Sequence, residues 1–403
     1  MRVLQINTVC GVGSTGRIAT DIHQILLEQG HESYIAYGRG EALNCSHAIK
    51  IGSKVDNYAH VMTTRIFDRH GFGSKKATKG FIRKVEALDP DIIHLHNIHG
   101  YFINIEILFN YLKRANKPVV WTLHDCWSFT GHCSHFDYIG CERWKSGCYN
   151  CPEKKEYPTS FLFDSSDLNY YKKKEIFTGV ENLTIITPSI WLANLVKKSF
   201  LKDYYIKVIN NGIDLSIFKP VENDFRKRFN LQNTFMILGA ASVWTVRKGF
   251  EYFFELSKAL GKDEKIVLIG VTEEQKKDLP LNIIGITHTN NIQELAEIYS
   301  SADVLVNPTL EDNFPTTNLE SLACGTPVIT FNTGGCVESI DSKTGIVVKE
   351  KDIKELLNQL LKVKSKEVVF QVKDLVEKTQ IHYEKKANYL KYIDLYISKS
   401  NIF

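Results

Sequence analysis

Two carboxylates in the second half of the chain, Asp312 and Glu320, stand eight positions apart. Asp312 lies in a polar run, and Glu320 lies in a predicted helix that starts at Pro315, Thr316 and Thr317. Proline suits a first helical turn, and the unpaired backbone N–H groups of that turn form an anion site suited to a diphosphate. One carboxylate would then reach a sugar and the other a second polyhydroxyl group such as ribose. The spacing therefore favours binding of a nucleotide-linked sugar.

Two adjacent basic residues, Arg247 and Lys248, precede Gly249 just after a predicted strand. Fixed cations are needed where a leaving phosphate gains negative charge as a glycosidic bond breaks. Adjacent basic residues at a helix start can also be merely exposed. We therefore favour Lys248 over Arg247 as a phosphate contact.

A glycine pattern, Gly11 to Gly16, follows the first predicted strand and fits G-x-G-x-x-G. The same pattern occurs in NAD(P) oxidoreductases, whose fingerprint also needs an acid at the end of the second strand. That strand ends in Tyr37-Gly38-Arg39-Gly40, without an acid. Arg39 could accept the phosphate of NADP, so an NADP-dependent oxidoreductase stays an alternative.

Histidines cluster at the ends of two neighbouring predicted strands. His94, His96 and His99 lie near the end of one, and His124 precedes Asp125 at the end of the next. Strand alternation puts His94 and His96 on the same face. A zinc site is one interpretation, and a His94 packed within the sheet is the other. His124 and Asp125 end a buried strand, at the sheet edge where α/β proteins bind ligands.

Four cysteines fall within one long, aromatic-rich loop at 125–166, and the last two form a C-x-x-C pair: Cys133, Cys141, Cys148 and Cys151. Disulfides are rare in cytosolic proteins, so a tetrahedral zinc ion that organises the loop is one hypothesis. The spacing differs from that of standard zinc fingers, and free packed thiols are the alternative. Four thiolate ligands leave no open position, so such a zinc ion would be structural.

Short apolar runs alternate with helix-like segments, which predicts parallel sheets covered by helices on both faces. The 403 residues are too many for one ordinary core, and a turn-rich connection follows residue 209. We therefore predict an α/β fold with two doubly wound, Rossmann-like domains that face a central cleft, 1–209 and 210–380. A terminal helix at 381–403 is expected to cross back to the first domain, because its tyrosines recur at helical spacing.

Eleven strands are predicted from these runs. They are 3–9, 33–37, 91–96, 118–123 and 183–187 in the first domain, and 235–240, 265–269, 282–284, 303–306, 327–330 and 345–348 in the second.

The net charge is +4, and two basic clusters lie in the first half of the chain: Lys75, Lys76, Lys79, Arg83 and Lys84, and Lys172–Lys174. They are either solvated helix faces or contacts with an anionic membrane surface. The excess of positive charge is small and no nucleic-acid-binding motif accompanies it, so no nucleic-acid partner is expected. No apolar run has transmembrane length and no leader precedes the first strand. We expect a cytoplasmic protein, with peripheral association at the inner membrane as a further hypothesis.

The run from Asn307 to Ile329 resembles the signature of glycosyltransferase family 4: a carboxylate, seven residues, a glutamate, and then Ala-x-Gly-x-Pro-Val. The resemblance covers most of the chain and is greatest to the branch that builds bacterial exopolysaccharides and colanic-acid-type polymers. Lys248-Gly249 also matches the family. Val243 stands where the family has an arginine, and Asp312 stands where it usually has a glutamate.

The resemblance implies a retaining GT-B glycosyltransferase that transfers a sugar from a UDP- or GDP-linked donor to a glycan or lipid-linked oligosaccharide, without a catalytic metal. It assigns Glu320 to the ribose, and Asp312 and His124 to the transferred sugar. His96 and Asp125 are candidate acceptor contacts, and Asp125 is also a candidate base. The predicted donor-binding residues are Gly13, Gly16, Arg247, Lys248, Asn313, Phe314, Pro315, Thr316 and Glu320. A GT-B epimerase, a phosphorylase and an inactive sugar-nucleotide-binding protein stay alternatives.

Overall fold

A computed structural model describes residues 1–400, which form two compact units. The first contains residues 1–210 and the chain from Tyr389 onward, and the second contains Asn211–Asn388. Residues 401–403, the end of the predicted terminal helix, lie outside the described part. Within residues 1–400 no helix combines the length and the apolar character that spanning a bilayer requires.

The first unit is built on a parallel sheet of seven strands: β1 (Arg2–Asn7), β2 (Glu32–Tyr37), β3 (Ala48–Lys50), β4 (Ile92–Leu95), β5 (Val119–Thr122), β6 (Leu183–Thr187) and β7 (Tyr205–Val208). Their order across the sheet is β3-β2-β1-β4-β5-β6-β7. Its helices are α1 (Gly13–Glu28), α2 (Lys54–Phe67), α3 (Lys75–Leu88), α4 (Ile105–Ala115), α5 (Ser166–Phe177) and α6 (Ile190–Val196). Every residue of β4, β5 and β6 is buried, as expected for strands covered on both faces.

The second unit is built on a parallel sheet of six strands: β8 (Phe235–Ala240), β9 (Glu264–Ile269), β10 (Ile283–Ile286), β11 (Val304–Asn307), β12 (Val328–Phe331) and β13 (Gly345–Val348). Their order is β10-β9-β8-β11-β12-β13. Its helices are α7 (Phe225–Arg228), α8 (Phe250–Ala259), α9 (Glu273–Lys277), α10 (Ile292–Ser301), α11 (Thr316–Ala323), α12 (Ile353–Lys364) and α13 (Val372–His382). All six strands predicted for this half of the chain are present.

The last helix, α14 (Lys385–Ser400), returns the chain to the first unit. Tyr389, Tyr392 and Tyr396 are buried in one cluster with apolar residues of β1, β4 and β5. The prediction started this helix four residues too early, at Ile381. Glu384 pairs with Ile213 in an isolated β-bridge, and this extended segment separates α13 from α14.

In the basic cluster at Lys172–Lys174 the middle residue is buried, whereas Lys172 is partly exposed and Lys174 is exposed. Lys173 is 1% exposed, and its ammonium donates to the carbonyl oxygens of Trp127 (2.8 Å) and Thr130 (3.1 Å). The same ammonium lies 3.5 Å from the centre of the Trp127 ring, a cation–π geometry. Burial lowers the pKa of Lys173 to about 7. Lys173 therefore holds the long loop against α5 and is not exposed for contact with a membrane.

Candidate active site

In the second unit, backbone contacts hold the basic turn against the acidic loop. The N–H of Leu310 donates to the carbonyl oxygen of Arg247 (2.8 Å). Gly249 has a φ of +75°, and a Cβ atom there would lie 2.1 Å from the Pro308 carbonyl oxygen. Only glycine combines this conformation with so close an approach. The backbone conformation and the close approach of Pro308 thus explain why a glycine follows Lys248.

The ammonium of Lys248 and the carboxylate of Asp312 form an ion pair, and both side chains are less than one third exposed. Asp312 also accepts a hydrogen bond from the N–H of Asn313 (2.8 Å). Asp312 therefore fixes the position of the cation that a phosphate would contact. Arg247 forms no ion pair within residues 1–400. The structure thus gives Lys248 a fixed position that it does not give Arg247.

The helix α11 begins at Thr316, directly after Pro315, as predicted. Pro315 caps the helix without a side-chain hydrogen bond, and no acidic residue lies in the first turn. The N–H groups there keep the partial positive charge of a helix start. Asn313 and Phe314 are buried below the turn, and the Phe314 ring packs against Tyr383 with centroids 5.8 Å apart. The loop before the helix is therefore fixed by packing.

Glu320 lies one helical turn beyond Thr316 and is 8% exposed. Its carboxylate accepts a hydrogen bond from the hydroxyl of Tyr299 on α10 (2.8 Å). Burial, together with the charge of Glu320, raises the pKa of Tyr299 well above its ordinary value, so this hydroxyl stays protonated and donates. No sequence pattern connects the two residues, because they lie on different helices. Tyr299 is a positioning residue that the sequence analysis missed.

In the first unit, a chain of three side chains holds the predicted histidines together. Gln5 donates to the Ala19 carbonyl oxygen, so its own amide oxygen accepts from His96 Nε2 (3.0 Å). His96 Nδ1 then faces His124 Nε2 at 3.3 Å. Burial lowers the pKa of His124 to about 4 and that of His96 well below its ordinary value. Both rings are therefore uncharged at neutral pH, with His124 as donor to His96.

One cavity is lined by all three of the acceptor and sugar contacts predicted for this unit, His96, His124 and Asp125. His99 Nε2 lies 2.9 Å from the Asp125 carboxylate, whose other oxygen accepts from the Trp127 N–H (2.9 Å). Burial alone would raise the pKa of Asp125, but His99 and this N–H hold it well below its ordinary value. A carboxylate with so low a pKa is a poor base. This environment suits a hydroxyl contact better than proton removal.

His94 is part of the core. It is fully buried, and its two ring nitrogens face the hydroxyls of Thr122 (2.8 Å) and Tyr396 (2.6 Å). Both of its polar atoms are thus satisfied within the protein, which supports the interpretation of a histidine packed in the sheet.

The glycine pattern lies mostly on a helix rather than in a loop. The helix α1 begins at Gly13, so Gly16 lies inside its first turns. A Cβ atom at Gly16 would lie 3.1 Å from a Val9 methyl group and 3.2 Å from the Gly11 nitrogen. Gly16 thus has a packing role at the end of β1. Donor binding by Gly13 and Gly16 stays a prediction.

The four clustered cysteines line a single cavity: Cys133, Cys141, Cys148 and Cys151. The N–H of Gly131 lies 3.2 Å from Cys148 Sγ, a contact that also stabilises thiolates. Among the described residues, however, no three His, Cys, Asp or Glu side chains are placed so as to hold a metal ion. The thiols therefore share a cavity without the arrangement of a formed site, and structural zinc stays a hypothesis.

The zinc hypothesis predicts about one equivalent of tightly held zinc in protein purified without chelators, because four thiolates bind Zn²⁺ strongly at neutral pH. Elemental analysis measures it. A Cys148→Ser/Cys151→Ser variant should lose the metal, whereas Cys336→Ser, at a buried cysteine of the second unit, should keep it. Less than about half an equivalent in the unmodified protein would reject the zinc site.

Two parallel α/β units, with an anion-suited helix start and a paired cation in the second, are the architecture of glycosyltransferases with the GT-B fold. The family description "Glycosyltransferase Family 4" matches residues 15–217, just over half of the chain, and "Glycosyl transferases group 1" matches residues 232–365. The chain belongs to glycosyltransferase family 4.

Similar proteins agree with this assignment. WcaC of Escherichia coli (strain K12), provisionally described as a colanic acid biosynthesis glycosyl transferase, is 27% identical over 390 residues, which cover 92% of each chain. A Campylobacter jejuni diphospho-undecaprenol N-acetylgalactosaminyltransferase is 28% identical over 180 residues, 42% of this chain and 47% of its own.

Solved structures share the fold. Sucrose-phosphate synthase from Thermosynechococcus elongatus superposes with a TM-score of 0.74 at 17% identity, covering 99% of this chain and 98% of its own. Anabaena HepE in complex with UDP-glucose superposes with a TM-score of 0.68 at 13% identity, covering 99% and 100%. The family match and the named relatives, rather than these structures, favour a glycosyltransferase over the NADP-dependent oxidoreductase and the epimerase.

Proposed function

We propose that the protein transfers a sugar, with retention, from a nucleoside-diphosphate sugar to a lipid-linked or glycan acceptor in the synthesis of a bacterial surface polysaccharide. The observation that carries the donor part is the edge of the second sheet where β8 and β11 end side by side. The turn after β8 carries Lys248, which pairs with Asp312, and the chain after β11 carries Asp312, the start of α11 and the buried Glu320. HepE, which has the same fold, binds UDP-glucose.

Each group has a distinct role in donor binding. Lys248 and the N–H groups at Thr316 contact the diphosphate, where negative charge develops as the bond to the sugar breaks. Glu320 accepts hydrogen bonds from the ribose hydroxyls. Asp312, beside Lys248, faces the hydroxyls of the transferred sugar. Arg247 is a second, weaker phosphate contact.

The acceptor hydroxyl attacks the anomeric carbon on the face that the phosphate leaves. The new bond joins the acceptor oxygen to that carbon, the carbon–phosphate oxygen bond breaks, and the departing phosphate oxygen takes the hydroxyl proton. The low pKa of Asp125 favours this route over proton removal by that residue. His124, uncharged at neutral pH, donates its one N–H to His96, which holds its ring, and its other ring nitrogen accepts a hydrogen bond from a sugar hydroxyl. No metal ion is required by this scheme.

The acceptor class rests on relatives. The Campylobacter jejuni enzyme is named for a diphospho-undecaprenol acceptor, and the Escherichia coli protein is named for colanic acid. Both names describe saccharides that grow on lipid carriers or into polymers. We therefore propose a lipid-linked oligosaccharide as the acceptor.

A panel of nucleotide sugars tests the proposal by thermal shift. We expect one UDP- or GDP-linked sugar to raise the Tm by about 5–10 °C at about 100 times its Kd, because a ligand that binds only the folded state stabilises it. The selective donor would identify both base and sugar.

The alternatives predict other outcomes in this assay and in product analysis. A shift with NADPH but with no nucleotide sugar would contradict the proposal. Donor conversion to a second sugar nucleotide without acceptor would indicate an epimerase. Donor binding without turnover on any lipid-linked acceptor would indicate an inactive binding protein.

A further inference from the structure

The helix α2 carries its apolar residues on the outside. Val55, Tyr58 and Met62 recur at helical spacing and are 76%, 71% and 54% exposed. The buried residues of this helix are His60 and Thr64, both polar. A surface helix of a globular protein normally has the opposite arrangement, with its apolar face toward the core.

Hydrogen bonds fix this unusual orientation. His60 Nε2 accepts from the N–H groups of Gly71 (3.1 Å) and Gly73 (3.2 Å), and Nδ1 lies 3.0 Å from Ser74 Oγ. Rotation of the helix to bury Val55, Tyr58 and Met62 would remove these partners and leave buried polar groups unsatisfied, which is costly. The apolar face is therefore held in solvent by the fold.

A second segment lengthens this face. The N–H groups of Phe161 and Phe163 donate to the carbonyl oxygens of Arg65 (2.8 Å) and Ile66 (3.1 Å) at the end of α2. The rings of Phe67 and Phe163 stack with centroids 5.8 Å apart. All the large side chains of this segment are exposed. We define the apolar strip as Val55, Tyr58, Met62, Phe67, Phe161, Leu162 and Phe163.

Cations border the apolar strip. The Arg65 guanidinium lies 5.8 Å from the centre of the Phe161 ring, and the Lys154 ammonium lies 3.5 Å from the Leu162 carbonyl oxygen. At the other end, exposed Lys54 begins α2, and the start of α3 carries exposed Lys75 and Lys76.

The start of α3 lies beside α2, since a Cβ atom on Gly52 would be 2.9 Å from that of Ala77. The acids on the strip's segments, Asp56 and Asp164, accept hydrogen bonds from neighbouring groups, among them the N–H groups of Ser53 and Cys151. Five basic residues, Lys54, Arg65, Lys75, Lys76 and Lys154, thus border the strip, against these two acids on its own segments.

We propose that the apolar strip docks on an anionic phospholipid surface, with the side chains of Phe161, Leu162 and Phe163 in the headgroup boundary and the bordering cations on lipid phosphates. Large exposed apolar patches on soluble proteins mark interaction sites. Aromatic and aliphatic side chains combined with Lys and Arg are the composition that binds anionic interfaces. The inference that this docking brings the enzyme to a lipid-linked acceptor rests on the proposed function. The lipid binding itself does not.

Co-sedimentation with vesicles tests the docking. The protein should bind vesicles of phosphatidylglycerol and phosphatidylcholine, bind phosphatidylcholine alone much more weakly, and lose binding as salt rises from 0.1 to about 0.5 M. Phe161→Ser/Phe163→Ser should lower the partition coefficient at least about tenfold, because it removes two rings from the interface.

Leu281→Ser is the matched control, since Leu281 is a fully exposed apolar residue of the second unit, and its binding should equal that of the unmodified protein. An unchanged Tm without ligand shows that each variant is folded, and this control does not depend on the proposed function. Equal vesicle binding by the double variant would overturn the proposal. So would a homodimer in solution that the double variant abolishes, because the strip would then contact a second copy.

Discussion

Replacement of Glu320 by alanine should lower kcat/KM at least about 100-fold, the largest loss we expect from a single substitution. A carboxylate that accepts two ribose hydroxyls makes two hydrogen bonds to a charged group, each about 1.5–3 kcal/mol. Steady-state kinetics with the donor found in the panel measures the loss. The Tm should fall by a few degrees, because the buried Tyr299 hydroxyl loses its acceptor.

Tyr299→Phe is the control for that effect on stability. It removes the same hydrogen bond but keeps the carboxylate, so we expect a similar change in Tm with a loss of activity below about tenfold. A Glu320→Ala enzyme with nearly the original rate would contradict the assignment of the ribose contact.

Replacement of Lys248 by alanine should also reduce transfer by about 100-fold or more, chiefly through kcat. The cation stabilises charge that grows on the diphosphate in the transition state, and such contacts are worth about 3–4 kcal/mol. The Tm should change little, because partly exposed ion pairs contribute about 1 kcal/mol or less.

Two further variants give this prediction its controls. Arg247→Ala should cost clearly less than Lys248→Ala, because Asp312 holds only the lysine in place. Lys258→Ala removes an exposed cation of α8 that pairs with Glu255, and its rate should be unchanged. Equal losses for Arg247→Ala and Lys248→Ala would show that overall positive charge, not a fixed phosphate contact, accounts for the effect.

The strands that the sequence analysis missed lie at the edges of the first sheet. β3 and β7 are its two outermost strands, they are three and four residues long, and most of their residues are partly exposed. An edge strand lacks the continuous apolar run by which the buried inner strands are recognised. The edge strands of the second sheet, β10 and β13, were predicted because, unlike β3 and β7, each is a run of apolar residues and glycine.

Residues that act through long-range contacts could not be found from the sequence. Tyr299 precedes Glu320 by 21 positions, and Gln5 precedes His96 by 91, so no local pattern joins either pair. The apolar strip was also missed, because a helix with apolar residues at helical spacing is normally assigned to the core. The polar inward face of α2 becomes meaningful only when the partners of His60 are known.

Local motifs were more informative in the second unit, where two short segments carry the predicted donor site. The turn at Lys248, the loop with Asp312 and the helix that starts at Thr316 each follow directly from residue type and spacing. Their mutual position then follows from neighbouring parallel strands, β8 and β11, which end at the same edge of the sheet.

A crystal structure with the bound donor nucleotide tests the central claim most directly. We predict diphosphate oxygens within hydrogen-bond distance of the Lys248 ammonium and the N–H groups at the start of α11, with the ribose on Glu320. A nucleotide bound elsewhere on the second unit, with Lys248 still paired only to Asp312, would contradict the account.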